Sequence, residues 1–302
     1  MSLPDRIVAV VGPTASGKSS LAVDIARRLG SGEVVNADSM QLYRGMDIGT
    51  AKPTATERAV VPHHLFDVLD VTETASVAEF QTLARAAIAD CHARGATPVL
   101  VGGSALYVRA VLDRLEFPGT DPEVRERWAA ALAERGASAL HAELARRDPA
   151  AAAQILPTND RRIVRALEVV ELTGEPFTAT MPEHDSIYGG LTILGLDVPR
   201  DVLDVRLSDR VDQMWADGFV DEVRGLRLAL EDGPTASRAL GYQQILAFLR
   251  GETTEDEARR ATVTGTRKFA RRQDRLFRKD PRVRWLAHDA EDLLDRAMRA
   301  LA

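Results

Sequence analysis

Residues 10–20 read VVGPTASGKSS, and this stretch decides how the rest of the chain is read. Gly12, Gly17, Lys18 and Ser19 fit the pattern G-x-x-x-x-G-K-[ST], with Pro13, Thr14, Ala15 and Ser16 filling the loop. In that pattern glycines let backbone N–H groups close around phosphate oxygens, the lysine adds charge, and the hydroxyl, here Ser19, holds a magnesium ion, Mg2+. The run before it, RIVAVV, is apolar and β-branched, and SSLAVDIARRLG after it has Leu21, Ile25 and Leu29 at helical spacing with Gly30 as the stop. Strand, phosphate loop and helix are expected in that order. The motif specifies a phosphate and leaves the substrate open.

Outward from the loop, GEVVNADSMQLYRGMDIGTAKPT predicts a second strand over Glu33 to Ala37, ending at Asp38. In a doubly wound parallel sheet ligands bind at the carboxyl ends of the strands, so Asp38 is expected beside the phosphate loop despite its distance in sequence. SVAEFQTLARAAIADCHARG predicts an amphipathic helix capped by Ser76, and TPVLVGGSALYVRAVLD a buried strand that turns through Gly102 and Gly103 into another helix. Asp121-Pro122 and Asp148-Pro149 each read as an N-cap with proline in the first turn, and NDRRIVRALEVVELTG as a helix ending at Gly174. Residues 118–194 are therefore expected to form a helical insertion, and residues 1–117 and 195–302 the core with its C-terminal helices. LTILGLDV returns the chain to the sheet. The expected class is α/β: a P-loop NTPase-like parallel sheet flanked by helices, with a helical insertion domain.

The 302 residues, 45% hydrophobic and 28% charged, suffice for one large core with a satellite. Cys91 is the single cysteine, which excludes an internal disulfide and predicts a buried, unreactive thiol and a cytoplasmic protein. No apolar run approaches the roughly 20 residues of a membrane span, and the N-terminal stretch is too short for a signal peptide. The net charge of −6 is unevenly spread: residues 259–284 hold eleven Arg or Lys against two Asp, a local +9 that leaves −15 elsewhere. Such a tract is either a solvated helical face with acidic neighbours or a footprint for a polyanion.

PVLVGGS, the apolar strand where a nucleotide hydrolase would carry a terminal aspartate for Mg2+, ends in Gly-Gly-Ser. Two readings then stand on residues alone. One is a small-molecule kinase with Asp38 as base toward a hydroxyl; the other is a transferase whose loop holds a diphosphate that departs during reaction. His63 and His64 lack cysteine or carboxylate companions at ligand spacing, so they read as packing or loop-fixing residues.

GPTASGKS, NADSMQLYRGMDIGTAKPT, VPHHLFD, VLVGGSALYVRAVL, NDRRIVRALEV, GFVDEVRGL and RALGYQQ follow one another over nearly the whole chain. Together they closely resemble the tRNA dimethylallyltransferases. The resemblance implies transfer of a dimethylallyl group from dimethylallyl diphosphate to the exocyclic amine of the adenosine 3′ of the anticodon, with diphosphate as the species in the loop. It further implies Asp38 as general base and Ser104, where the family usually has threonine, as a catalytic hydroxyl that also meets the tRNA. Helix N-capping is the plain alternative for Ser104, and capping of the following loop that for Asp38. By the same likeness Arg224 reaches the diphosphate, against an ion pair with Asp221. Contacts to tRNA are implied for Asp38, Ser39, Met40 and Gln41; for Arg125, Arg161, Arg162 and Arg165; for Arg238, Gly241, Tyr242 and Gln243; and for Arg271, Arg272, Arg275 and Arg278. Arg161 and Arg165, at i and i+4, share a helix face that suits successive phosphates. RRQDRLFRK interleaves basic side chains with Phe277 as RNA phosphates and bases require. The expected partners are the tRNA anticodon stem-loop and dimethylallyl diphosphate, with Mg2+ and a monomeric chain. The kinase, and a non-catalytic RNA-binding protein, are the alternatives.

Overall fold

A computed structural model describes residues 6–177 and 184–301. Strand β1 (Arg6–Val11) is followed by α1 (Lys18–Leu29), β2 (Gly32–Asn36), the single turn α2 (Ala55–Arg58), β3 (His63–His64), α3 (Val77–Ala93), β4 (Thr97–Gly102) and α4 (Ala105–Leu112). Then come α5 (Pro122–Arg147), α6 (Pro149–Gln154), α7 (Asp160–Thr173), β5 (Gly190–Asp197), α8 (Arg200–Ala216), α9 (Phe219–Asp232), a 3-10 turn at Ala236–Arg238, α10 (Tyr242–Leu249), α11 (Glu255–Phe277), β6 (Val283–Ala287) and α12 (Leu293–Ala300). The strands form one parallel sheet in the order β3-β2-β4-β1-β5-β6.

Period-two alternation divides β1 between two cores. Ile7, Ala9 and Val11 pack with Phe80, Ile88, Val108 and Leu112 from α3 and α4. Val8 and Val10 pack on the other face with Leu21 and Ile25 of α1 and Ala297 of α12. Both faces are covered, which is why this strand reads as an unbroken apolar run. Because β1, β2 and β4 run the same way, the turns after them, at Gly12, Ala37 and Gly103, open on one edge of the sheet. Two of them are pressed together: Ala37 N–H donates to Val101 O at 2.8 Å, and a Cβ on Gly102 would lie 2.6 Å from Ala37 O. Only glycine fits there.

The chain divides into two compact units, Met1–Arg114 with Ser186–Ala302, and Leu115–Asp185. The division at 194/195 expected from sequence falls inside β5, whose first residue, Gly190, already pairs with Arg6 of β1. Residues 190–194 are thus sheet. The smaller unit packs α5, α6 and α7 around Trp128, Leu140, Leu144, Ile163 and Leu167. Asp121 and Asp148 cap their helices as their prolines predict, Asp148 accepting the Ala151 amide at 2.9 Å and the Phe177 amide at 2.7 Å. At Gly136 (φ 78°) the backbone leaves helical geometry, so α5 is two helical segments.

Candidate active site

The phosphate loop is wound by left-handed residues, Gly17 at φ 94° and Ala15 at φ 63°. A non-glycine in that region costs about 1–3 kcal/mol and clusters at functional sites. Gly17 caps α1 without a side-chain bond, and no acidic residue occupies the first turn, so the helix presents bare N–H groups and a positive dipole end to whatever anion enters. Ser16 Oγ is buried without a hydrogen-bond partner among the described residues. Lys18 donates from Nζ to Pro13 O at 3.3 Å. Burial pushes its ammonium down to about 8; the Asp38 carboxylate pulls it up, and the Arg210 guanidinium pushes it further down. Lys18 faces a cavity of about 180 Å³ lined also by Thr14, Ala15, Gly17, Ser19, Asp38, Gln41 and Arg210.

Asp38 is held at the carboxyl end of β2 from both sides. Asn36 Oδ1 accepts the Asp38 amide at 2.8 Å, and Asn36 Nδ2 donates to Asp38 O at 3.0 Å and Leu65 O at 2.9 Å. The carboxylate caps its own loop through Oδ1, which accepts the Met40 amide at 3.0 Å. Capping and catalysis are compatible here, since Oδ2 has no hydrogen-bond donor among the described residues. Opposite, Lys52 is buried on Tyr43 O at 2.7 Å, Asp47 at 2.6 Å and Asp67 at 2.7 Å. That ion cluster fixes the loop carrying Thr50 and Ala51 into the small cavity.

A second cavity of about 770 Å³ also contains Asp38, Thr14, Thr50 and Arg210. Its walls are Ser39, Met40, Ser104, Met214, Phe219, Arg238, Gln243, Phe269, Arg272, Gln273 and Arg275. Ser104 sits at the N-cap of α4 but its hydroxyl makes no capping bond, which leaves it available to a ligand. Lys268, Arg272 and Arg275, at i, i+4 and i+7, place one face of α11 on this cavity.

Much of what was expected converges here: Gly17, Lys18, Ser19, Asp38 to Gln41, Ser104, Arg238, Gln243, Arg272 and Arg275 line one or both cavities. Several residues do otherwise. Arg224 lines neither cavity and pairs with Asp221 on its own helix, so the cation beside the phosphate loop is Arg210 instead. Tyr242 contributes its ring to the wall, but its hydroxyl is committed to Glu222 Oε1 at 2.5 Å. Glu222 in turn accepts the amides of Asp47, Ile48 and Gly49. Gly241 is buried at φ 90°, where a Cβ would lie 2.6 Å from the Phe219 ring, so its place is set by packing. Arg271 pairs with Asp204 at 2.9 Å, and Arg278 with Asp197 and Asp274 while stacking 4.2 Å over Trp285. Phe277 is buried in the main core; the aromatic of α11 that reaches the cavity is Phe269, 5.4 Å beneath Arg272.

In the smaller unit, Arg125 and Arg165 hold the fully buried Glu168 at 2.9 and 3.0 Å, and Arg165 also donates to Pro118 O and Gly119 O. Arg161 and Arg162 are exposed. The pair of cations on this helix open to solvent is therefore 161 and 162, not 161 and 165.

His64 does acquire companions through the fold. Its Nε2 meets Glu33 at 2.6 Å, and Cys91 Sγ lies 3.5 Å from the same carboxylate. Arg94 also grips Glu33, holding it down to about 2, while burial and that carboxylate push the Cys91 thiol up to about 12. The cation already balancing Glu33 is a guanidinium, and Cys91 stays a thiol.

Arg210 and Gln273 escaped the sequence reading, although Arg210 left a trace. It lies seven residues after Leu203 and three after Leu207, both buried, where the helical pattern reserves an apolar position. An arginine on such a stripe signals a polar target inside.

Residues 41–280 match the family model described as IPP transferase. A tRNA dimethylallyltransferase of Thermobifida fusca is 64% identical over 296 residues, 96% of this chain and 92% of its own length. One from Streptomyces avermitilis is 63% identical, covering 98% of this chain and 95% of that protein. Among solved structures, a tRNA isopentenylpyrophosphate transferase of Bacillus halodurans aligns with a TM-score of 0.73 at 41% identity, covering 98% of this chain and 97% of that one. A eukaryotic dimethylallyltransferase acting on tRNA aligns with a TM-score of 0.80 at 25% identity, covering 99% of this chain and 78% of that one.

Proposed function

The chain belongs to the IPP transferase family, and from that premise we propose that it is a tRNA dimethylallyltransferase, using dimethylallyl diphosphate to prenylate the exocyclic amine of the adenosine 3′ of the anticodon. The observation that carries the reading is the position of Asp38 in both cavities, with Lys18 and Arg210 beside it. The small polar cavity suits a diphosphate, and the larger one suits an allyl chain and an incoming base.

In this reading the diphosphate lies against the amides of the phosphate loop, Lys18 and Arg210. Its charge rises as the allylic C–O bond breaks, and preorganised donors aimed at that charge supply the largest part of catalysis. The amine nitrogen forms the new C–N bond with its lone pair, which ring conjugation makes a weak nucleophile. Asp38 Oδ2 accepts the proton that the nitrogen sheds, and the electron pair of the broken bond leaves on the diphosphate oxygen. Ser104, hydroxyl uncommitted, is suited to bond the amine or the diphosphate. Mg2+ fits the oxygen donors at hand: Ser19 is exposed on the small cavity, and its hydroxyl with diphosphate oxygens would hold the ion. Bound there, Mg2+ neutralises charge on the leaving group. A base must leave the anticodon-loop stack to reach Asp38, at a cost of a few kcal/mol that phosphate contacts elsewhere offset. The reading extends to a monomer working in the cytoplasm.

The test is product analysis with purified protein, dimethylallyl diphosphate and a tRNA transcript. Prenylated adenosine and diphosphate are expected in equal amounts, with none from free adenosine. Phosphate transferred from ATP, without prenylated product, would overturn the reading in favour of a kinase.

A further inference from the structure

Gln273 differs from the arginines on either side of it. Its side chain is 4% exposed and sits on the cavity face of α11 with Arg272 and Arg275. Its Oε1 accepts the backbone N–H of Thr14, inside the phosphate loop, at 2.9 Å across 259 residues of sequence. Its Nε2 lies so close to Gly103 that a Cβ on that glycine would collide with it, and Gly103 leads directly into Ser104 at the start of α4. A buried amide is costly unless its bonds are made, so the position of this one is set by the groups it touches. One side chain on the basic helix therefore braces the phosphate loop and the turn carrying the candidate catalytic hydroxyl.

We propose that Gln273 is a positioning residue that couples RNA on the basic face of α11 to the phosphate loop, so that bound tRNA tightens the hold on diphosphate. The proposal rests on tRNA being the substrate. The Thr14 amide is spent on Gln273 and is not available to a phosphate; its bond instead orients the loop that leads to the bare N–H groups at the start of α1. RNA phosphates held by Arg272 and Arg275 fix the helical turn that carries Gln273 between them. A loop already ordered through that side chain costs a second ligand less to order, which is cooperativity without a new contact between the ligands. Linkage makes the effect reciprocal, so diphosphate tightens tRNA by the same factor.

The experiment measures the affinity of inorganic diphosphate with Mg2+, in the presence and absence of an anticodon stem-loop RNA. In the unmodified protein the stem-loop is expected to tighten diphosphate by about fivefold or more. In Gln273→Met, which keeps the volume and loses the acceptor, that ratio is expected to fall to about one, while stem-loop affinity measured alone stays within about threefold, because the phosphate contacts remain. A ratio unchanged in Gln273→Met, or absent from the unmodified protein, overturns the proposal. Should the variant fail to fold, amide exchange in the unmodified protein decides: the peptide containing Thr14 slows with stem-loop alone if the coupling exists, and is unchanged if it does not. A stem-loop that is bound and prenylated without tightening diphosphate removes only the coupling; one that neither binds nor reacts removes the tRNA reading as well.

Discussion

The two cavities that share Asp38 are built in opposite ways. The smaller one is built around the phosphate loop: Thr14, Ala15 and Gly17 with the bare N–H groups at the start of α1, and Lys18 and Arg210 as its cations. The larger one gathers residues from the turn before α4, from α8, α9, α10 and α11, and from the turn at Arg238. A backbone cradle recognises a compact anion and is hard to alter by substitution. A side-chain wall gathers separable contributions, each removable by one mutation. In the proposed reaction the labour divides accordingly: chemistry at the cradle and at Asp38, recognition at the wall.

The largest effect is expected where the cavities join. Asp38→Ala removes the proton acceptor and is expected to cost about 10² to 10⁴ in single-turnover rate while the wall still binds tRNA within about tenfold. Near-normal turnover would remove Asp38 from the chemistry.

Next come the two cations of the cradle. Lys18→Ala and Arg210→Ala each withdraw charge from the leaving group, at about 10² to 10³ in rate, whereas Arg224→Ala leaves the rate unaltered. A pH dependence sharpens this. The Lys18 ammonium is held at about 8, so the free protein loses that charge as pH rises through this value. Diphosphate favours the protonated lysine, so its affinity is expected to weaken above pH 8, and binding there is expected to take up a proton, read by calorimetry in two buffers. Lys18→Met abolishes the uptake; persistence of the uptake would assign it to another group.

The smallest effects distinguish the faces of α11. Each phosphate contact contributes about −0.7 to −0.9 to the log–log salt slope of RNA binding. Replacing Arg272 and Arg275 by Gln flattens that slope by roughly one unit per lost contact. Replacing Arg271 and Arg278, already paired with Asp204, Asp197 and Asp274, leaves it unaltered. Equal flattening by both pairs would show that charge alone, and not the face it occupies, binds RNA.

What could be read in the sequence follows the same division. The cradle is local: strand, loop and helix are contiguous, and the rule that ligands gather at carboxyl ends of parallel strands suffices to bring Asp38 to it. The wall is not local. On α11, which lines it, Arg271 meets Asp204 across 67 residues, and at the helix's C-cap Arg278 meets Asp197 across 81, pairings that residue type and helical spacing leave undetermined. Hence the basic tract is recognisable in the sequence as a whole while the partners of its individual arginines are not. Phe277 and Phe269 illustrate the point: both lie on α11, and only packing decides that the first fills the core and the second faces the cavity. Arg210 sits between these cases, its charge on an apolar stripe being legible and its target being tertiary.

The phosphate loop is proposed to hold a leaving diphosphate and not the triphosphate of a nucleotide. Equilibrium competition tests it most directly, with labelled dimethylallyl diphosphate bound to the protein in Mg2+ and displaced by unlabelled dimethylallyl diphosphate, inorganic diphosphate or ATP. The cavity of about 180 Å³ beside a strand that ends in Gly-Gly-Ser predicts ready displacement by both diphosphates and poor displacement by ATP. Displacement by ATP at concentrations equal to or below those of dimethylallyl diphosphate would contradict the account.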